Sequence, residues 1–250
     1  MSPIQKKNFW QRIGKSACPD EVVRDLSIKE IKKSLRKNAN VIDIGCGDGY
    51  CTFKFLEKKI KSIKGIDFST TSIRNAKKNK DILGLKKKIT FEVGDVLNLS
   101  KYQNSFEHVI TIRCLINLDS KKKQLSALKE IYKTLKKGGT YLMCENFNEN
   151  LENLNKFRKK FNLDKIKTRW HNKYLSSKEI KHYATKKLKF KILEERNFAS
   201  SYYFLTRVVK PYLFKINDKK LEYNDSFNIL ASKFESFGDF SPMKLIILKK

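Results

Sequence analysis

Val41-Ile42-Asp43-Ile44-Gly45-Cys46-Gly47-Asp48-Gly49 is the stretch that decides the fold. Val41 to Ile44 read as a short apolar strand. Glycines at alternate positions directly after it let the chain turn tightly and bring bare backbone against a ligand. A helix is predicted next, with Phe53 and Leu56 facing inward, and its first N–H groups add a partial positive field at the same place. A glycine-rich turn after a strand can also be only a turn, so the flanking sequence has to decide.

Downstream, strands and helices alternate. Ile63-Lys64-Gly65-Ile66-Asp67 is the second strand, and Ser69 or Thr70 can cap a helix running through Ala76. Ile89 to Val93 alternates as a third strand, and Phe106 to Ile112 is apolar enough at its end to be buried on both faces. Asp119 or Ser120 can cap a helix with a stripe of Leu125, Leu128, Ile131, Tyr132 and Leu135, which Gly138-Gly139 would end before a fifth strand, Thr140 to Glu145. This alternation over residues 38–146 means a parallel sheet covered on both faces. Upstream, Val22, Val23, Leu26, Ile28, Ile31 and Leu35 have helical spacing. Beyond Asn146 the pattern loosens. It offers a polar helix over 150–161, another starting at Ser176 or Ser177, and a sixth strand, Phe190 to Glu194. A helix up to Val209, stopped by Pro211, would follow, then a last helix over 224–236 and a last strand, Lys244 to Leu248.

The acids at the strand ends sharpen the cofactor reading. Asp67 ends the second strand, where a carboxylate can accept both hydroxyls of a ribose or can simply cap a helix. Asp95 in Gly94-Asp95-Val96 follows the third strand, where it can meet an adenine amino group or close an Asx turn. A dinucleotide normally needs Gly-x-Gly-x-x-Gly, and here the third glycine comes one residue early. Asp43 precedes the first glycine. Its carboxylate suits the ammonium end of a methionine moiety better than a pyrophosphate.

These residues resemble a class I S-adenosylmethionine-dependent methyltransferase. The resemblance implies a Rossmann-like α/β fold: a seven-stranded, mostly parallel sheet with the last strand antiparallel, helices on both faces and a helical insertion near the acceptor site. It implies that Asp43, Gly45, Gly47 and Gly49 embrace the methionine part of S-adenosylmethionine. Asp67, with Phe68 beside it, would hold the ribose, and Asp95 with Val96 would contact adenine. S-adenosylhomocysteine would be the product. Residues 1–37 would form an N-terminal helical segment covering the cofactor, with Phe9, Trp10 and Lys15 closing over it or packing on the sheet edge. Residues 38–250 would be the catalytic domain, with acceptor-binding insertions at about 147–187 and 197–240.

Composition sets the limits. The 250 residues carry a formal charge of +29, mostly as lysine spread along the chain, alongside many asparagines. Dispersed lysine reads as a solvated surface, so no nucleic-acid partner is expected. The arginines Arg158, Arg169, Arg196 and Arg207 are more informative, because a guanidinium grips phosphate or carboxylate bidentately. Five cysteines without a CxxC pair, and three histidines, show no metal-site spacing. An odd cysteine count suits a reducing cytoplasm. No signal-peptide-length or membrane-spanning apolar run is seen. The oligomeric state is not legible.

For the acceptor, the fourth strand delivers Arg113 to the crevice beyond the carboxyl ends of the strands. It stands where many enzymes acting on base or amide nitrogens carry Asn/Asp-Pro-Pro-Tyr. Arg169-Trp170-His171-Asn172-Lys173-Tyr174 and Ser200-Ser201-Tyr202-Tyr203 with Arg207 form a second polar and aromatic cluster. Trp and Tyr could wall a pocket there. His171 is the general-base candidate, with a core-packed histidine as the alternative. Arg113, Arg169, Tyr203 and Arg207 are the candidates for holding an acceptor; Arg113 is also a candidate for the cofactor, with a salt bridge to a neighbouring loop as its alternative. His108 reads as structural and His182 as a surface residue. The cluster, with Gly238-Asp239-Phe240, is similar to methyltransferases of bacterial capsule and lipopolysaccharide clusters, which include enzymes acting on capsular phosphoramidate or sugar groups. That resemblance implies a small phosphate-containing or sugar-nucleotide acceptor and O-methylation. An RNA methyltransferase and a non-catalytic S-adenosylmethionine-binding protein are the alternatives.

Overall fold

The computed structural model describes residues 8–11, 18–85, 88–215 and 222–250. Helix α1 (Glu21–Ser34) begins where the Asp20 carboxylate accepts from the Val23 N–H at 3.0 Å, and it turns Val23, Ser27, Ile28 and Ile31 inward. Strand β1 (Asn40–Ile44) leads through the glycine loop into α2 (Tyr50–Phe55). Strand β2 (Ser62–Asp67) is followed by α3 (Thr70–Ile82), capped by Ser69, and then by β3 (Ile89–Val93). Strand β4 (Phe106–Ile112) precedes α4 (Lys121–Thr134), capped by Ser120, and β5 (Leu135–Asn146). In each pair of candidate caps, the serine whose hydroxyl reaches the N–H three residues on starts the helix.

The remaining chain forms α5 (Asn148–Lys160), α6 (Ser177–His182, capped by Ser176) and β6 (Lys191–Arg196). Next come α7 (Ser200–Phe204), a π-helical turn (Leu205–Val209), α8 (Lys210–Phe214), α9 (Ser226–Ala231) and β7 (Met243–Lys249). The strands form one seven-membered sheet in the order β3-β2-β1-β4-β5-β7-β6. Pairings from β3 to β5 are parallel, and β7 runs antiparallel to both of its neighbours. The Rossmann-like expectation is met.

Side chains alternate between two cores, as the twofold period of a strand requires. Val41, Ile110, Leu142 and Leu245 pack with Ile31, Ile73 and Tyr202 on one face. Ile42, Val109, Tyr141 and Ile246 pack with Leu128, Ile131 and Ile180 on the other. The parallel strands therefore end at one rim, at Ile44, Asp67, Val93, Ile112 and Asn146.

Three local expectations are corrected. Gly138-Gly139 does not end a helix: α4 stops at Thr134, Leu135 already belongs to β5, and Gly139 leaves no room for a Cβ, which would meet the Lys136 carbonyl at 2.9 Å. Pro211 does not stop the helix before it, because it occupies the first turn of α8, where its missing N–H costs nothing. The last helix spans only Ser226–Ala231.

Candidate active site

The first half of the site lies over β1–β3. Asp43 pairs in register with Gly65 and Ile110, is 2% exposed and accepts from the Thr52 hydroxyl at 2.6 Å. Burial pushes its carboxyl up to about 7, with the Thr52 bond opposing and the Asp67 charge adding. The Gly45 and Cys46 N–H groups both donate to the Ile66 carbonyl, at 2.8 and 3.0 Å, and pin the loop to β2. Gly47 has φ of 58°, and a Cβ there would meet nothing within 4 Å, so its backbone faces open space. Its N–H donates to Asp67 Oδ2 at 2.9 Å, while the Ser69 N–H donates to Oδ1 at 2.9 Å. Asp67 thus ties the glycine loop to the start of α3. Burial holds its carboxyl above the ordinary range, with those two bonds opposing. Asp95 closes the Asx turn onto the Leu97 N–H at 2.9 Å and also lines the cavity. Phe68 and Val96 line it too. Gly49 does not: it stands behind the loop, where a Cβ would meet Phe91 at 2.8 Å and Phe53 at 2.9 Å.

The second half starts at the end of β4. Arg113 adopts φ of 52°, fixed by its N–H donating to the Cys144 carbonyl at 2.9 Å and by Asn117 Nδ2 donating to its carbonyl at 2.8 Å. Beneath it, buried Glu145 accepts from the Cys114 and Leu115 N–H groups at 3.0 Å each, and burial pushes its carboxyl up to about 7. Arg207 comes from the π-helical turn. Its Nη2 donates to Asp20 at 2.5 Å, and the Tyr202 hydroxyl donates to the same carboxylate at 2.8 Å. Asn228 Nδ2 donates to Tyr202 at 3.0 Å, so α9, α7 and the start of α1 share one polar network. Tyr203 lies with its ring 5.5 Å from the Arg207 guanidinium.

Arg169 is exposed at the cavity edge, and His171 behind it is 5% exposed. His171 stacks on Phe9 at 4.7 Å and meets Trp10 edge-on at 5.4 Å. The 8–11 segment also accepts from the Ser69 hydroxyl through the Trp10 carbonyl at 3.2 Å. It therefore bridges the β2 rim and the 169–174 loop. Lys15 lies outside the described residues.

The two halves face one cavity of about 690 Å³. It brings together Trp10, Asp43, Gly45, Gly47, Asp67, Phe68, Asp95, Val96, Arg113, Arg169, His171, Tyr203 and Arg207. Trp170, expected as a wall, is 47% exposed and lies outside the lining. Arg158 and Arg196 do not reach it either. Arg158 is fully buried and props the Arg207 carbonyl, and Arg196 pairs with Glu194 at 2.6 Å. The structure adds Arg24 and Tyr223 to the lining. Arg24 carried one signal: it lies beside the inward residues Ser27 and Ile28 at helical spacing. Tyr223 carried none. His108 is structural, bonded to Thr140 at 2.6 Å and pushed down to about 4 by burial, and His182 is exposed on α6. Among the described residues no group of three or more His, Cys, Asp or Glu is placed to hold a metal, and no helix is long and apolar enough to cross a membrane.

A nucleotide-type cradle at the rim of a seven-stranded sheet, with one strand reversed, defines a class I S-adenosylmethionine-dependent methyltransferase fold. The profile of the methyltransferase domain family matches residues 35–197, and the chain belongs to that family. Ajmaline N-methyltransferase of Rauvolfia serpentina is 28% identical over 116 residues, 46% of this chain and 39% of that protein. The tRNA U34 carboxymethyltransferase of Helicobacter pylori strain P12 is 37% identical over 120 residues, 45% of each chain. The matches thus span less than half of these curated relatives. An S-adenosylmethionine-dependent methyltransferase structure from Methanosarcina mazei superposes with a TM-score of 0.58 at 20% identity, covering 88% of this chain and 96% of that one.

Proposed function

We propose that this chain transfers the methyl group of S-adenosylmethionine to an oxygen of a small anionic or nucleotide-linked acceptor, a phosphoramidate or sugar precursor of a bacterial surface polysaccharide. One observation carries the reading: Asp43, Asp67 and Asp95 line the cavity at the β1–β3 rim, while Arg113, Arg169 and Arg207 line it from the β4 end and the two insertions, with Arg207 matched to Asp20 and with Arg24 and Asp119 also in the lining. Such a division suits a cationic cofactor on one side and an anionic acceptor on the other.

The residues fit the cofactor. Gly47 leaves open space against bare backbone, Asp67 stands fixed at the rim, and Asp43 is a buried acid with no basic partner among its described bonds. Asp43 with Gly45 and Gly47 would hold the methionine part, Asp67 and Phe68 the ribose, Asp95 and Val96 the adenine. Gly49 acts through the shape of the loop. Bound there, the cofactor supplies a methyl carbon made electrophilic by positive sulfur, so the protein needs no nucleophile of its own. Its tasks are alignment and exclusion of water, and alignment alone is worth several kcal/mol. Trp10 and the 8–11 segment close the mouth. Arg169 and Arg207, with Tyr203, orient the acceptor. For a sugar hydroxyl, His171 takes the proton as the oxygen attacks. For a phosphate or phosphoramidate oxygen, already anionic near neutral pH, no base is required.

The test offers labelled S-adenosylmethionine with nucleotide sugars, phosphoramidate nucleotides and total RNA, and identifies the methylated product by mass. Label in a phosphoramidate or sugar supports the reading. Label in RNA would replace it with the second reading, which the +29 charge and the relative named for tRNA favour. Tight cofactor binding with no labelled product across a broad metabolite extract would point to a non-catalytic binding protein.

A further inference from the structure

Arg113 is a cavity arginine held in a left-handed backbone conformation. A left-handed backbone is unusual for a non-glycine residue and is strained where it persists. Here it turns the side chain at the end of β4 into the cavity. The other cavity arginines stand differently. Arg24 pairs with Glu21 at 3.4 Å and lies 3.7 Å over the Tyr50 ring. Arg207 is matched to Asp20, and Arg169 is exposed. Arg113 is half-buried, and the titratable groups that face it include Cys18, Tyr203, Cys51, Cys144 and Tyr174. None of these side chains is a carboxylate; burial pushes the Tyr203 and Tyr174 phenols and the Cys51 thiol up, and the Cys144 thiol up to about 12. Among the described residues no carboxylate lies within ion-pair distance of Arg113. A guanidinium drawn out of bulk water without a counter-charge is costly, and a bound anion would relieve that cost.

We propose that Arg113 is an oxyanion seat, closing on a carboxylate or phosphoryl oxygen of a bound small molecule beside Tyr203. This deepens the methyltransferase reading and rests on it for the source of the anion. That source is either the carboxylate of the cofactor's amino-acid end or an anionic group on the acceptor. A planar guanidinium offers two parallel N–H donors to either.

The experiment is calorimetric titration of the whole chain and of Arg113→Asn and Arg113→Lys. Asn tolerates the left-handed backbone and removes the charge; Lys keeps the charge and loses the fork. The probes are S-adenosylhomocysteine, its decarboxylated analogue, and inorganic phosphate added to the S-adenosylhomocysteine complex. If the seat takes the cofactor's carboxylate, Arg113→Asn weakens S-adenosylhomocysteine at least tenfold and leaves the decarboxylated analogue unchanged. If it takes the acceptor's anion, Arg113→Asn abolishes phosphate binding and spares both adenosyl probes. In either case Arg113→Lys recovers part of the loss. A folded Arg113→Asn protein matching wild type with every probe overturns the proposal. If that variant fails to fold, the Arg113 side-chain Nε–H resonance of the wild type decides: it must move with S-adenosylhomocysteine or with phosphate, and a resonance unmoved by both overturns the seat. Wild type that binds phosphate through Arg113 but takes no S-adenosylhomocysteine would keep the seat and sink the methyltransferase reading.

Discussion

Asp67 works on both sides of its carboxylate: it accepts from the Gly47 and Ser69 N–H groups and faces the cavity. Asp67→Ala should weaken S-adenosylmethionine binding at least tenfold, about 1.4 kcal/mol, with unchanged calorimetric affinity removing the ribose assignment. His171 is packed against Phe9 and Trp10, so its replacement loosens the mouth as well as removing a base. His171→Ala should lower turnover far more than cofactor affinity, and equal turnover would leave an already ionised acceptor oxygen as the nucleophile. The acids of the β1–β3 rim were legible as cavity residues because each stands within two residues of a strand end, and a strand end is visible in local sequence. The β4 and insertion side of the cavity was legible only where residues cluster. Arg24 and Tyr223 reach the cavity from segments about 200 residues apart, and no local pattern reports such a meeting. Trp170 was misread because an aromatic beside a histidine looks like a wall whichever way it points, and here it packs edge-on against Phe9 and His171, outside the lining.

Elements were legible where a cap or a period marked them. Ser69, Ser120 and Ser176 each start the helix that composition foretold. They failed where tertiary packing overrode local chemistry, as at Leu135, which continues the apolar stripe of α4 yet opens β5 and is fully buried there. Helix α1 depends on Asp20, which caps the Val23 N–H and balances Arg207 from the far insertion. Two energies can therefore be separated at one position. Asp20→Asn keeps a capping oxygen and loses the charge, while Asp20→Ala loses both. Chemical denaturation should rank wild type above Asp20→Asn above Asp20→Ala. The last step should be about 1 kcal/mol for the cap, and the first larger, of order 3 kcal/mol, for a buried guanidinium left without its counter-ion. Equal stability of wild type and Asp20→Asn would mean that the pair with Arg207 is energetically neutral.

At the scale of the whole molecule, the surface is strongly basic while two carboxyls sit deep in the sheet, Asp43 and Glu145, both pushed up to about 7 by burial. Between about pH 4.5 and 7 the folded protein keeps protons on these groups that the unfolded chain has released, so unfolding free energy falls as pH rises through that window and levels off above it. His108, pushed down to about 4, acts oppositely up to pH about 6.5, because there the unfolded chain binds a proton that the folded one refuses. Each shift is worth on the order of 3 kcal/mol, so two carboxyls outweigh one imidazole. Without cofactor, stability should decline from pH 5 to 7.5 in urea titrations, and a rise across that range would contradict the burial of these acids. Cofactor binding reverses the balance at Asp43, since a cationic ligand favours the carboxylate and expels its proton. Affinity for S-adenosylmethionine should therefore strengthen as pH rises from 5.5 to 7.5, and the binding enthalpy should change with the ionisation enthalpy of the buffer. Asp43→Asn should bind more weakly and lose both dependences. The same pH slope in wild type and Asp43→Asn would show that the proton leaves from another group and that Asp43 is an internal strut for Thr52.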